Sequence, residues 1–199
     1  VAVKEKFIAK KREDQMTQKE TIANPGALGL GAFALTTFLL SLVNVGFIGS
    51  SGIGVVLGMA FFYGGLAQIL AGMWEFKTGN IFGATCFTSF GAFWMGLALI
   101  LVFESAGIAS VSPVGLAAFL FAWGVFTLYA TVASFHTNVG LRVLFVALTI
   151  TFFLLAVGEY LSIFKTIGGA MGILVAFIAW YLSMAILING VAKRDILPL

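Results

Sequence analysis

Charge is what this chain has least of: 10% of its 199 residues are Asp, Glu, Lys or Arg, against roughly a quarter in soluble domains. None of these, and no His, occupies the middle of any of its long apolar stretches. Such an interior leaves no buried carboxylate relay of the kind proton-driven carriers use. Cysteine is almost as scarce. Cys86 stands alone inside an apolar stretch, so there is no intrachain disulfide and the residue reads as a small core side chain. The single histidine, His136, falls in a short connection and is expected at the surface. Without a second His or an Asp inside the apolar segments, no Ser-His-Asp set can be assembled, and no P-loop, HExxH or CxxC is present. Catalysis and ATP-driven pumping by this chain alone are excluded, and no cofactor or metal is expected.

Hydrophobic residues make up 61% of the chain and the mean hydropathy is +1.09. The apolar residues gather into six stretches, approximately Leu28 to Ile48, Gly54 to Phe76, Ile81 to Phe103, Val114 to Phe135, Leu141 to Leu161 and Ile167 to Gly190. Each is about long enough to cross a bilayer. The fold expected is all-α: a polytopic membrane protein of six transmembrane helices over residues 24–191. A cytoplasmic segment, 1–23, precedes it and a cytoplasmic tail, 192–199, follows. The first stretch follows about 25 polar residues and is long for the apolar part of a cleavable signal, so it reads as a retained span. The segment from Lys4 to Glu20 is a short surface helix or a solvated tail, since isolated helices of this length are marginal, and its basic cluster suits anionic headgroups. The 24 Gly and 21 Phe suggest helices crossed closely at glycine with aromatic fillers, because lipid supplies no hydrophobic force between helices. The pairs Gly54/Gly58, Gly79/Gly83 and Gly168/Gly172 fit that packing.

The net charge of +3 does not point to nucleic acid, since the basic residues flank spans. With the N-terminus in the cytoplasm, Lys4, Lys6, Lys10, Lys11, Arg12, Lys19, Lys77, Arg142, Lys193 and Arg194 all fall inside, and Lys165 alone falls outside. The positive-inside rule therefore places a multi-pass protein in the cell membrane with both termini cytoplasmic.

Polar residues within the spans are neutral and patterned. Phe33, Thr37, Ser41 and Asn44 recur at spacings of four, four and three and share one helix face. Asn24 and Pro25 mark the start of that helix, Asn24 as cap and Pro25 in the first turn, and a helix start attracts anions. Span two carries Gln68 between Gly64 and Gly72, with Tyr63 nearby. Span three carries Thr85 and Ser89 among Phe82, Phe90 and Trp94, and span four carries Thr127 and Thr131. Each alone suits bonding to its own helix carbonyl or gluing helices together. Together they suit a pathway for a small polar solute. Glu104 reads as interfacial, while Glu75 and Glu159 are closer to the apolar runs.

Three segments read together carry a family resemblance: Asn24 to Leu30 (NPGALGL) followed by Phe33, Thr36 and Thr37; Phe62 to Gly72 (FYGGLAQILAG) continuing through Glu75, Gly79, Asn80 and Phe82; and Thr88 to Trp94 (TSFGAFW). The chain resembles the acetate uptake transporter family over nearly its whole length. The resemblance implies a homo-hexameric ring of six-helix protomers, each with its own pathway for acetate and related small monocarboxylates, with succinate a further candidate. It also implies a narrow apolar constriction at Phe33, Phe90 and Leu148. Two positions depart from the family pattern: Gly26-Ala27 replaces Ala-Pro in the opening motif, and Phe90 replaces a tyrosine. A carboxylate crossing such a ring either exchanges its water for fixed dipoles, since an unpaired charge in hydrocarbon is costly, or crosses as the neutral acid and carries its own proton. The other readings are a channel for a neutral solute such as urea or ammonia, and a membrane receptor for carboxylate.

Overall fold

The computed structural model of the protein describes residues 22–199, so the surface helix expected over Lys4–Glu20 lies outside the described residues. Six helices are long and apolar enough to cross a membrane. The first is α1 (Gly26–Asn44). The second span, Ser50–Thr78, is composite: a 3-10 turn (Ser50–Gly52), α2 (Ile53–Phe61), one π-helical turn (Phe62–Ala67) and α3 (Gln68–Thr78). Then follow α4 (Ile81–Ser105), α5 (Pro113–Ser134), α6 (Val139–Gly158) and α7 (Ser162–Ala192). The six segments match the expected spans with shifts of a few residues at the ends. The π turn was not anticipated, because hydropathy carries no signal for a change of helical pitch.

The chain reverses at each end of the bundle, giving two faces. One, the terminus face, carries the start of α1, the α3–α4 and α5–α6 connections and the end of α7. The other, the loop face, carries the remaining three connections. Three helix ends are glycine-terminated. Gly46, Gly79 and Gly107 take the left-handed conformation at φ 78°, 81° and 68°, and the following N–H reaches back five residues in each case, as in Phe47 to Leu42 O at 3.0 Å. That is the Schellman arrangement, which needs a residue without Cβ strain at the turn.

Helix packing follows from small residues on α1, the π turn, α3 and α7. A Cβ on Gly72 would run into the backbone N and hydroxyl of Thr88, so α3 and α4 cross at van der Waals contact. Gly172 of α7 likewise seats the Ser41 hydroxyl of α1, whereas Gly168 meets Leu154 and Leu155 of α6. The Gly168/Gly172 pair thus addresses two neighbours, while Gly54 and Gly58 face open space. α5 packs closely on α6 but only slightly on α4. Aromatic side chains fill that seam, with Phe93 stacked on Phe119 at 5.6 Å and set edge-on to Trp123 at 5.3 Å. Such pairs add attraction beyond area burial. Polar contacts also tie helices: Thr131 Oγ1 lies 3.0 Å from the Phe145 carbonyl and 2.8 Å from Thr149 Oγ1. The last residues fold back on α7, where Asn189 Oδ1 accepts from the Ile196 and Leu197 N–H groups at 2.9 Å each.

Candidate transport pathway

The helices α1, α4 and α6 all begin at the terminus face, and each start is held by an asparagine. Asn24 Oδ1 accepts from the Gly26 N–H at 2.8 Å, Asn80 Oδ1 from the Gly83 N–H at 3.1 Å, and Asn138 Oδ1 from the Leu141 N–H at 2.8 Å. The cap position itself falls on Pro25, not in the first turn as expected, and Asn24 stands one residue ahead of it, its side chain closing a short turn onto the Gly26 N–H. All three asparagines line one cavity of about 190 Å³. Three positive dipole ends converge there, and partial positive charge at a helix start favours anions.

Glu75 lines the same cavity and is only 3% exposed. Its Oε2 accepts from Thr78 Oγ1 and from Asn80 Nδ2, both at 3.0 Å. Asn80 thus caps α4 with its oxygen and holds Glu75 with its nitrogen. Gly83 makes this possible, since a Cβ there would lie 2.9 Å from the Glu75 carboxyl carbon. Among the described residues no Lys or Arg pairs with Glu75. The buried amide of Gln68, whose Oε1 has no partner among the described residues, lines the cavity too. Cys86 is buried in its wall, and His136 is exposed.

Toward the loop face this cavity ends at Phe33 and Leu148, which also line the next cavity, of about 30 Å³. Phe90 completes the partition. Its ring lies 5.7 Å from that of Phe33 and stacks at 11° on Phe152, 6.2 Å away. Phe33, Phe90 and Leu148 are each 3 to 4% exposed.

Beyond them Thr37, Ser41 and Asn44 of α1 face Trp94 of α4 and Thr151 of α6. The Thr37 hydroxyl and the Trp94 indole N–H are buried without partners among the described residues. Unpartnered buried groups are costly in a pure scaffold, and here they border a space that holds about one small polar molecule. A third cavity, of about 220 Å³, shares Leu40, Asn44 and Leu155 with the second and opens at the loop face beside Glu159 and Lys165. Lys165 Nζ lies 3.2 Å from Glu159 Oε1.

Five of the polar residues singled out in the sequence line none of these cavities, among them Thr131, which bonds to the Phe145 carbonyl. Thr85 is exposed on the outer face of α4 and Ser89 is half-buried beside it. The cavity-lining face of α4 runs through Phe82, Cys86 and Phe90; Cys86 and Phe90 stand one residue on from Thr85 and Ser89, and one residue is about 100° of helix rotation. Thr127 is fully buried and donates to the Trp123 carbonyl at 2.7 Å. Tyr63 sits in the π turn with its hydroxyl against Gly31. Conversely, Asn80, Asn138, Trp94 and Thr151 were not picked out as pathway residues. The two asparagines had a readable signal, each standing just ahead of an apolar run in cap position. Trp94 and Thr151 had none.

A six-span bundle with successive cavities that share lining residues between the terminus face and the loop face defines a channel-like membrane transport protein. The chain belongs to the GPR1/FUN34/yaaH family, whose model matches residues 9–194. It is 42% identical over 184 residues to the Escherichia coli protein named succinate-acetate/proton symporter SatP, covering 89% of this chain and 95% of that one. The Saccharomyces cerevisiae protein named ammonia transport outward protein 2 is 39% identical over 183 residues, covering 87% of this chain and 63% of the relative. The solved structure of the bacterial acetate channel SatP superposes with a TM-score of 0.86 at 39% identity, over 90% of this chain and 99% of that one. The family expectation drawn from the motifs is met.

Proposed function

We propose that the protein carries acetate and related small monocarboxylates, with succinate a further candidate, across the cell membrane through the pathway within each protomer. The observation that carries this reading is the convergence of three helix starts, each with an asparagine at its entrance, on one cavity that ends at an apolar partition. A carboxylate in that cavity meets oriented dipoles instead of bulk water, which is what a desolvated anion requires. Asn24 and Gln68 serve it at the terminus face, Phe33, Phe90 and Leu148 form the constriction, and Thr37, Ser41 and Asn44 receive it beyond. The terminus face is the cytoplasmic one: Lys77, Arg142, Lys193 and Arg194 lie there, as the positive-inside rule asks. The protomers assemble as a homo-hexameric ring, a reading supported by Gly54 and Gly58, one turn apart on α2 and facing open space, which offer a small-residue surface to a neighbouring helix.

Labelled-acetate uptake into liposomes containing the purified protein, with imposed voltage and pH gradients varied separately, tests this. Voltage-dependent flux identifies an anion channel. Flux that follows only the pH gradient identifies neutral-acid passage or proton symport. Absence of acetate flux, with ammonia or urea permeation instead, sinks the carboxylate reading in favour of the neutral-solute channel; the name of the yeast relative speaks for that second reading.

A further inference from the structure

Lys165 is the one basic residue at the loop face among the described residues, and three physical terms act against a cation there. It is the sole exception to the positive-inside count. It lies in the first turn of α7, where the positive end of the helix disfavours a cation. Its partner offers only a partial return, since the pair lies half in solvent, with the Lys165 side chain 44% and the Glu159 side chain 12% exposed, and solvent screens it. Its position is nevertheless tightly specified. Gly158, at the end of α6, lets the backbone of Lys165 approach so closely that a Cβ would fall 2.7 Å from its N and 2.8 Å from its Cα. Gly169, one turn further along α7, is packed in the same way against Asn44, whose Cβ is 2.8 Å from the Cβ it would carry. Two glycine contacts thus bring Lys165 and Asn44 to the wall of the same loop-face cavity.

The ends of α1 and α6 and the starts of α2, α5 and α7 all border that cavity, so the backbone dipoles there largely offset one another and the ammonium supplies the positive charge that an entering anion meets. The ammonium has three donors, and one is engaged, by Glu159. The Asn44 amide makes no side-chain hydrogen bond among the described residues.

We propose that Lys165, with Asn44, forms a capture site for a carboxylate anion at the loop-face mouth, and that Glu159 competes with the incoming carboxylate for the same ammonium. The site collects the anion from solution and passes it to the Thr37 and Trp94 region. This rests on the carboxylate-transport reading, which it extends to a second, separate site.

The test is the initial rate of labelled-acetate uptake into proteoliposomes against acetate concentration, at low and at high potassium chloride. At low salt Lys165→Gln raises the half-saturating concentration by about three- to fivefold, the scale of a half-exposed ion pair, and leaves the maximal rate nearly unchanged. The half-saturating concentration of the unaltered protein rises with salt through screening, whereas that of Lys165→Gln does not. Lys165→Arg keeps the native behaviour, and Glu159→Gln lowers the half-saturating concentration. A Lys165→Gln protein with native half-saturation and native salt response overturns the site, as does a loss confined to the maximal rate. If the unaltered protein carries no acetate, the transport reading fails, and the capture site is then read from NMR line broadening of isotope-labelled acetate by the purified protein in detergent. Broadening lost in Lys165→Gln and kept in Lys165→Arg supports the site; equal broadening in all three overturns it.

Discussion

The two mouths of the pathway have nearly equal volumes, about 190 and 220 Å³, and differ in the charged side chains they hold. The terminus-face vestibule receives three helix starts and holds a buried carboxylate, Glu75, with no cation paired to it among the described residues. The loop-face vestibule is bordered by the ends of α1 and α6 and by the starts of α2, α5 and α7, and it holds an ammonium, Lys165, paired with Glu159. At the terminus face the carboxylate opposes the helix starts and limits how strongly an anion is held, and at the loop face the Glu159 carboxylate beside Lys165 does the same. A conduit must bind its solute well enough to admit it and weakly enough to release it. Such opposed terms flatten the profile along the route.

The contrast can be broken most severely at the partition between the mouths. Leu148→Ala would join the first two cavities and remove packing from a side chain 4% exposed, at a cost of about 2 to 3 kcal/mol. Thermal unfolding in detergent should show that loss while labelled-acetate flux rises and discrimination against larger solutes falls. Next in size is Glu75→Ala, which strands Thr78 Oγ1 and Asn80 Nδ2 and should cost about 1 to 3 kcal/mol. Glu75→Gln retains an acceptor and should lose less, and with the charge gone it should raise succinate flux relative to acetate flux. An unchanged succinate-to-acetate ratio would mean that the carboxylate acts only as a structural acceptor.

Asn80→Ala removes the cap of α4 and should cost about 1 kcal/mol, with acetate flux reduced. The equivalent change at Asn24, whose bond reaches only two residues along, should cost less. The smallest stability change is expected at Thr37→Val. A hydroxyl without a partner is removed, so stability should stay within about 0.5 kcal/mol, while acetate flux falls. Unaltered flux would remove Thr37 from the route.

The stripe on α1 was legible because a helix has a fixed 3.6-residue repeat, and Phe33, Thr37, Ser41 and Asn44 stay on one face wherever the helix goes. On α4 the same reasoning picked Thr85 and Ser89, which lie off the pathway. That helix is apolar all round, and its inward line is chosen by contacts such as Gly72 against Thr88 and Gly91 against Ile69. Polarity alone favoured the wrong face.

Hydropathy and charge bias by themselves determined that this chain has six spans, because burial of some twenty apolar residues in lipid outweighs any local preference. The motifs carried the family. Only the tertiary structure decided that three helix starts with an asparagine at each entrance share one cavity, that Glu75 is walled in beside them, and that Lys165 faces Asn44's cavity at the other end. The reason is geometric: these pairings join residues far apart in the chain, and they depend on where glycines let helices touch, which no single helix records.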